Sequence, residues 1–182
     1  MEVNVKFAKV RPDAIIPSKR DEDMGFDIYA YFDEDFIAIY PHETRLVPTG
    51  IASACDPGYG FLLFERGSTG SKGIARRCGV IDSGYRDEWF IGLTNTTDKM
   101  LFISKLDNAE LEKALRFGSE DPIAYKLASD EVLNAIIYPY SKAIAQAIVT
   151  PVPKANKEEI SYDDLKAIPS ERGLGKLGSS NK

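Results

Sequence analysis

Cysteine, histidine and tryptophan are nearly missing from this 182-residue chain, which holds two Cys, one His and one Trp. Cys55 and Cys78 fit no metal-ligand spacing and are too few for a disulfide scaffold, so they are expected to be small buried hydrophobes in an intracellular protein. No apolar run approaches the ~18 residues that a spanning helix needs. The first ten residues alternate polar and apolar types without a hydrophobic stretch, so no signal peptide and a cytoplasmic location are expected. A basic excess is lacking too: 28 acidic against 23 basic residues give a net charge of −5 and a pI near 5.0. That balance argues against nucleic acid or an anionic membrane as partner. What is present is ordinary globular material, 43% hydrophobic and 28% charged, enough for one domain with a real core.

Short segments of alternating or wholly apolar character recur between Gly, Pro and Asp clusters. They include Val3–Phe7, Gly25–Ala30, Phe36–Tyr40, Gly50–Ala52, Phe61–Phe64, Gly79–Ile81, Glu88–Leu93 and Ala147–Val149. Many short strands closely spaced predict an all-β jelly-roll-like barrel or sandwich, with a mixed α+β domain as the alternative. Residues 97–140 break the pattern. Leu111 and Leu115 stand at helical spacing between an Asp107/Asn108 cap and Gly118, and Val132, Leu133, Ile136 and Ile137 mark a second helix from Ser129. This stretch is expected to be a small helical insertion, with eight acidic and five basic residues. The predicted organisation is a β domain over 1–153, interrupted by 97–140, and a polar mobile C-terminal arm over 154–182.

Three clusters carry chemistry. Glu65–Ile74 combines small residues, which let backbone N–H groups approach an anion, with Arg66 and Lys72. Its spacing is not that of a Walker loop, and alone it also reads as a polar Gly-rich loop. Gly79–Glu88 reads as a β-hairpin holding Asp82 at a strand end with Tyr85 three residues on, or as a plain Asp-Ser-Gly turn. Between Arg66 and Arg86 lie five basic residues and one acidic, a local +4 that suits a small polyanion such as a nucleoside triphosphate.

Taken in order, Gly25-Phe-Asp27-Ile-Tyr-Ala, Leu46-Val-Pro-Thr-Gly50-Ile, Arg66-Gly-Ser68 with Lys72-Gly-Ile, Gly79-Val-Ile-Asp82-Ser-Gly-Tyr85, Ile144-Ala-Gln146 and Arg172-Gly…Gly178-Ser-Ser resemble the ordered motifs of the homotrimeric deoxyuridine triphosphatases. The resemblance covers nearly the whole chain except 97–140. It implies a dUTP diphosphatase that uses Mg2+ and has active sites at the interfaces of a homotrimer. By that resemblance Asp82 is the general base for water attacking the α-phosphorus. Tyr85 packs under the deoxyribose and excludes a 2′-hydroxyl, and the backbone of Gly79, Val80, Ile81 and onward to Tyr85 reads uracil. Arg66, Gly67, Ser68 and Gln146 meet the phosphates or the attacking water. Asp27 acts indirectly, supporting the Mg2+ water shell or positioning Arg66. Arg172, Leu177, Gly178, Ser179 and Ser180 belong to the arm that clasps the γ-phosphate.

The chain departs from that pattern in three places. The family's Arg-Ser-Gly is here Arg66-Gly67-Ser68, one residue shorter before Ile74. Its Gly-Asp-Arg is Ser141-Lys142-Ala143, so the tie made by that Asp–Arg pair must be held otherwise. Leu177 replaces the aromatic that stacks on uracil, and insertions like 97–140 are reminiscent of phage-encoded relatives. Two competing readings are a dCTP deaminase of the same fold and a regulator that docks a protein partner on 97–140. Deamination needs a glutamate in the strand after the hairpin, and Trp89–Asn95 holds none. His42, after Pro41, is expected in a surface turn, and Trp89 and Phe90 in the core or a subunit interface.

Overall fold

The computed structural model describes residues 2–117, 134–171 and 173–175. The chain divides into two units, Met1–Val152 and Pro153–Lys182. The first carries four sheets that form a jelly-roll-like sandwich without closing into a barrel. β1 (Val5–Lys9) pairs with β5 (Ile51–Cys55). β2 (Phe26–Ile28), β12 (Ala145–Pro151), β6 (Tyr59–Phe64) and β8 (Val80–Asp82) lie side by side in that order, all antiparallel. β4 (Thr44–Pro48), β9 (Phe90–Asn95) and β7 (Ile74–Arg77) make a third sheet, and β11 (Ile136–Pro139), β10 (Leu101–Ser104) and β3 (Phe36–Ile39) a fourth.

Alternation decides which side chains enter the core. In β3, Ile37 and Ile39 point in; in β12, Ala145 and Ala147 do, leaving Gln146 on the opposite face. Trp89 is fully buried, packed edge-on against Phe61 and Phe7 at ring-centroid separations of 5.0 and 5.9 Å. Phe90, next along, is exposed. His42 sits in an exposed turn at φ 61° with Nε2 2.9 Å from the Asp98 carboxylate.

The all-β expectation holds, but 97–140 is not simply helical. Leu101–Ser104 is a completely buried central strand, and Ile136–Pro139 runs parallel beside it. A short apolar run fits a buried strand as well as a helix, and here the pairing with β3 decides. Parallel neighbours require a crossover rather than a tight turn. α2 (Asn108–Phe117) lies in that crossover and places Leu111, fully buried, on Met100 and Phe102. The helix expected from Ser129 begins outside the described residues, and its Ile136 and Ile137 are strand.

A second correction concerns Gly79–Glu88. β8 pairs with β6, whereas β9 pairs with β4 and β7, so the segment crosses between two sheets instead of forming a hairpin. The turn itself is present, closed by Tyr85 N–H donating to the Asp82 carbonyl at 3.1 Å. The second unit contains a short helix, α3 (Tyr162–Ala167), whose Ser161 side chain caps the Asp164 N–H at 3.1 Å.

Candidate active site

Residues directly opposite in an antiparallel ladder share a face of the sheet. Asp27 stands opposite Gln146, and Gln146 opposite Phe64. Asp82 stands opposite Gly60, two steps of two from Phe64, so Asp27, Gln146, Val80 and Asp82 all lie on the outward face. They occupy opposite corners of it. Four residues along β6 and three strands across separate the Asp27 and Asp82 backbones by ~19 Å, at ~3.3 Å per residue and ~4.8 Å per strand.

The first corner is a polar cleft of about 760 Å³, lined by Asp27, Arg66, Gly67, Ser68 and Gln146. Close approach of β12 is permitted at Gly25, where a Cβ would come within 3.2 Å of Gln146. The Gln146 amide is anchored by donating to the Glu65 carbonyl at 2.8 Å. Arg66 leaves β6 and opens the short helix α1 (Gly67–Gly70). There its N–H donates to Thr69 Oγ1, and that hydroxyl donates back to the Arg66 carbonyl, both at 3.0 Å. This lock, with Thr69 buried, sets the direction of Arg66, whose guanidinium meets Asp27 at two points: Nε to Oδ1 at 2.9 Å and Nη2 to Oδ2 at 3.1 Å. Ser68 Oγ lies 3.2 Å from the Tyr138 hydroxyl, which donates to the Ala143 carbonyl at 2.7 Å. Tyr138 therefore ties down the turn where the Asp–Arg pair is lacking.

Sequence reasoning missed the other wall of this cleft, made by the loop 18–24. It is closed by the Ser18–Asp27 bridge, in which Asp27 N–H donates to the Ser18 carbonyl at 2.9 Å. Lys19 Nζ folds back on the carbonyls of Arg20 and Asp23 at 3.1 and 2.9 Å. Arg20 grips the Asp23 carboxylate through Nε at 2.9 Å, and that hydrogen bond holds the Asp23 pKa down to about 2. The Lys19-Arg20 pair just before Gly25-Phe-Asp27 is a signal that could have led there.

The second corner is a smaller cleft of about 250 Å³ with an apolar rim of Leu46, Val80, Phe90 and Tyr85 around Asp82. Asp82 is exposed at the end of β8, its backbone held by the ladder to Gly60. The Tyr85 hydroxyl donates to the Glu88 carbonyl at 3.1 Å, which pins the ring over the turn. Arg86 ties the turn further by donating to the Tyr85 carbonyl at 3.0 Å. Gly79 makes room for the Arg76 guanidinium, 2.0 Å from where a Cβ would stand. Cys78, expected to be buried, is exposed at φ 55° and lines this cleft, because β7 ends before it and the chain turns into β8. Cys55 is half-buried, and burial pushes its thiol pKa up.

Asp82 and Tyr85 are thus brought together, as are Asp27, Arg66, Gly67, Ser68 and Gln146, but the two groups do not meet within this chain. Arg172, Leu177, Gly178, Ser179 and Ser180 lie outside the described residues.

Fold and clefts define a β-sandwich with a polar cleft, lined by three basic (Lys19, Arg20, Arg66) and three acidic (Glu22, Asp23, Asp27) side chains, and a separate, more apolar cleft bearing a carboxylate. The dUTPase family model matches residues 11–108, more than half of the chain. This chain belongs to the dUTPase family. It is 29% identical over 185 residues to the deoxyuridine 5′-triphosphate nucleotidohydrolase of Neisseria meningitidis serogroup C, covering 99% of this chain and 97% of that one. The Nautilia profundicola protein of the same name is 27% identical over 188 residues, covering 99% and 100%. Among solved structures, the dUTPase of Staphylococcus bacteriophage 80alpha with dUPNHPP superposes with a TM-score of 0.67 at 18% identity, over 98% of this chain and 99% of that one. The dUTPase from phage phi11 of S. aureus, described for its species-specific insert, gives 0.60 at 19% identity over 86% and 96%. These structures share the fold.

Proposed function

We propose that this chain is a dUTP diphosphatase that cleaves dUTP between the α- and β-phosphates, in the cytoplasm, as a homotrimer with active sites between subunits. The observation that carries the reading is the division of one outward sheet face into two clefts with complementary chemistry. A general base must come within about 2.6–3.2 Å of the proton it takes. The Asp82 and Asp27 backbones lie ~19 Å apart in one chain, which supports a site in which a second copy brings its Asp82 corner over the Asp27–Arg66 corner of the first.

In the shared site the apolar rim of Leu46, Val80 and Phe90 receives the nucleoside, and the backbone from Gly79 to Tyr85 reads the uracil edge. The pinned Tyr85 ring leaves no room for a 2′-hydroxyl. Asp82 accepts a proton from water as its oxygen bonds to the α-phosphorus. The bond from that phosphorus to the bridging oxygen breaks, and dUMP and pyrophosphate result. Arg66, Ser68 and Gln146 meet the phosphates and the water. By the family resemblance, Arg172, Ser179 and Ser180 of the arm clasp the γ-phosphate, and Leu177, beside Gly178, gives apolar cover to the uracil.

Mg2+ fits the residues present in an indirect way. Among the described residues no group of three or more His, Cys, Asp or Glu could hold a metal. Asp27 spends one lone pair of each carboxylate oxygen on Arg66 and keeps the rest for hydrogen-bond donors in the cleft it lines. That donor set suits a cation bound by the triphosphate and reached through water. Bound there, Mg2+ neutralises developing phosphate charge. The phage phi11 enzyme is described with a structural Mg(II) ion, which supports a divalent metal in this fold.

The deaminase alternative finds no support. β9 carries no carboxylate, and its buried Asn95 donates to the carbonyls of Ile39 and Lys99. The test is pyrophosphate release from dUTP, UTP, dTTP and dCTP with Mg2+, for the parent and for Asp82→Asn. Release from dUTP alone, abolished by the substitution, is expected. A folded parent that spares dUTP sinks the proposal.

A further inference from the structure

Ser68 and Tyr138 are separated by 70 residues, yet their hydroxyl oxygens lie 3.2 Å apart. Tyr138 is 1% exposed on β11, the strand returning from the crossover, and its ring belongs to the main core. Its oxygen carries a single proton. The 2.7 Å bond to the Ala143 carbonyl takes that proton, since a carbonyl only accepts. The bond between the two hydroxyls is therefore donated by Ser68. Arg66 Nη1, 3.5 Å from the same Oγ, can only donate. With its proton committed to Tyr138, the Ser68 hydroxyl offers an occupant of the phosphate cleft nothing but acceptance. The oxygens of an ionised triphosphate have no proton to give. A water molecule has.

We propose that Tyr138 is a positioning residue that fixes Ser68 as an acceptor, so that Ser68 holds a water in the phosphate cleft and not a phosphate oxygen. The inference rests on the dUTP diphosphatase reading above and assigns one side chain its share of that site. It also gives a reason for a tyrosine at a position where the core needs only an apolar ring: the hydroxyl holds both the Ser141–Ala143 turn and Ser68. The chain lacks the Asp–Arg pair in that turn, and Tyr138 fastens it from beneath.

The test is a double-mutant cycle on Y138F and S68A, reading kcat for dUTP and, by calorimetry, Kd for the α,β-methylene analogue, which cannot be cleaved and has no bridging N–H. Losing one well-made hydrogen bond to the reacting water lowers kcat about three- to tenfold in Y138F. Analogue binding stays unchanged or tightens, because the freed Ser68 proton can turn to a phosphate oxygen. S68A lowers kcat and leaves Kd unchanged, and adding Y138F to S68A has no further effect. A weaker analogue Kd in S68A makes Ser68 a donor to phosphate and overturns the proposal. So does a Y138F loss of kcat that persists in the S68A background, which would mean that Tyr138 acts through the fold alone. Should Y138F fail to fold, the S68A comparison decides by itself. A parent that does not hydrolyse dUTP overturns the functional reading instead, and the S68A affinity measurement still separates donor from acceptor.

Discussion

Asp27 and Arg66 lie 39 residues apart in sequence and face each other at two points, with Nε 2.9 Å from Oδ1 and Nη2 3.1 Å from Oδ2. Both side chains are about one-third exposed, at 32% and 31%. An ion pair with that much solvent around it adds little to stability, while its planar two-point geometry still fixes where the guanidinium points.

Asp27→Ala therefore separates function from folding. With Arg66 free to swing, kcat/KM for dUTP is expected to fall about 10- to 100-fold. The change in unfolding free energy stays within about 1 kcal/mol, as for other exposed pairs. Steady-state kinetics and urea denaturation on one preparation check both halves. A large loss of stability with intact kcat/KM would reverse the assignment.

Leu111→Ala should do the opposite. Leu111 is fully buried on Met100 and Phe102, and truncating such a leucine costs about 2–5 kcal/mol. The crossover helix packs Leu111 on Met100 and Phe102, and none of its described side chains lines either cleft. The denaturation midpoint is expected to drop while kcat at a temperature well below unfolding is unchanged. A selective loss of activity in a fully folded variant would tie the crossover to the chemistry directly.

Much of this arrangement is legible in the sequence where the signal is local. Gly25-Phe-Asp27, Ile144-Ala-Gln146 and Gly79–Tyr85 are short motifs that single out Asp27, Gln146 and Asp82 without any long-range information. What is not legible is register. Nothing in the chain before folding says that Gln146 pairs with Phe64 while Asp82 pairs with Gly60, and that difference moves the two groups to opposite corners. Leu101–Ser104 escaped for a related reason, since four buried residues in a row have no periodicity to read. Tyr138 reads as core from its apolar neighbours, and only its hydroxyl contacts disclose a second role.

Glu65 gives a pH dependence with a definite sign. Its carboxylate accepts the Arg76 backbone N–H at 2.9 Å, and that bond, helped by the charges of Arg76 and Arg77, holds its pKa below the ordinary 4.5. A carboxyl whose folded pKa lies below its unfolded one stabilises the protein fully above the unfolded value and loses that contribution as pH falls through the folded one. Glu65→Gln is thus expected to be less stable than the parent at pH 6–7, roughly the region above both values. The gap should close on acidification below the unfolded value of 4.5. Urea midpoints of both proteins across that range decide it; a gap that widens in acid contradicts the assigned cause.

Tyr85 is held by its hydroxyl on the Glu88 carbonyl, so the ring cannot swing aside for a larger sugar. Tyr85→Ala removes the obstacle. The ratio of kcat/KM for dUTP over UTP is expected to shrink by a factor of about ten or more, mostly through a gain in UTP turnover, because rejecting a hydroxyl by shape alone depends on the wall that is lost. A ratio unchanged in the alanine variant would place sugar discrimination elsewhere.

The division of the site predicts complementation. Arg66→Ala destroys the phosphate corner and Asp82→Asn the base corner, so each variant alone should be inactive towards dUTP. In a mixed oligomer some sites combine an intact Arg66 from one subunit with an intact Asp82 from another. For random exchange at equal amounts, a site drawing each corner from a different subunit is intact about a quarter of the time. Unfolding and refolding the two variants together should therefore restore about a quarter of the parent's pyrophosphate release, while mixing them without exchange restores none. Both corners belonging to one subunit's site would leave the mixture as inactive as its parts. That outcome would contradict the ~19 Å separation as the reason for assembly. Size-exclusion chromatography of the refolded mixture establishes that oligomers have re-formed, so a silent mixture cannot be blamed on missing assembly.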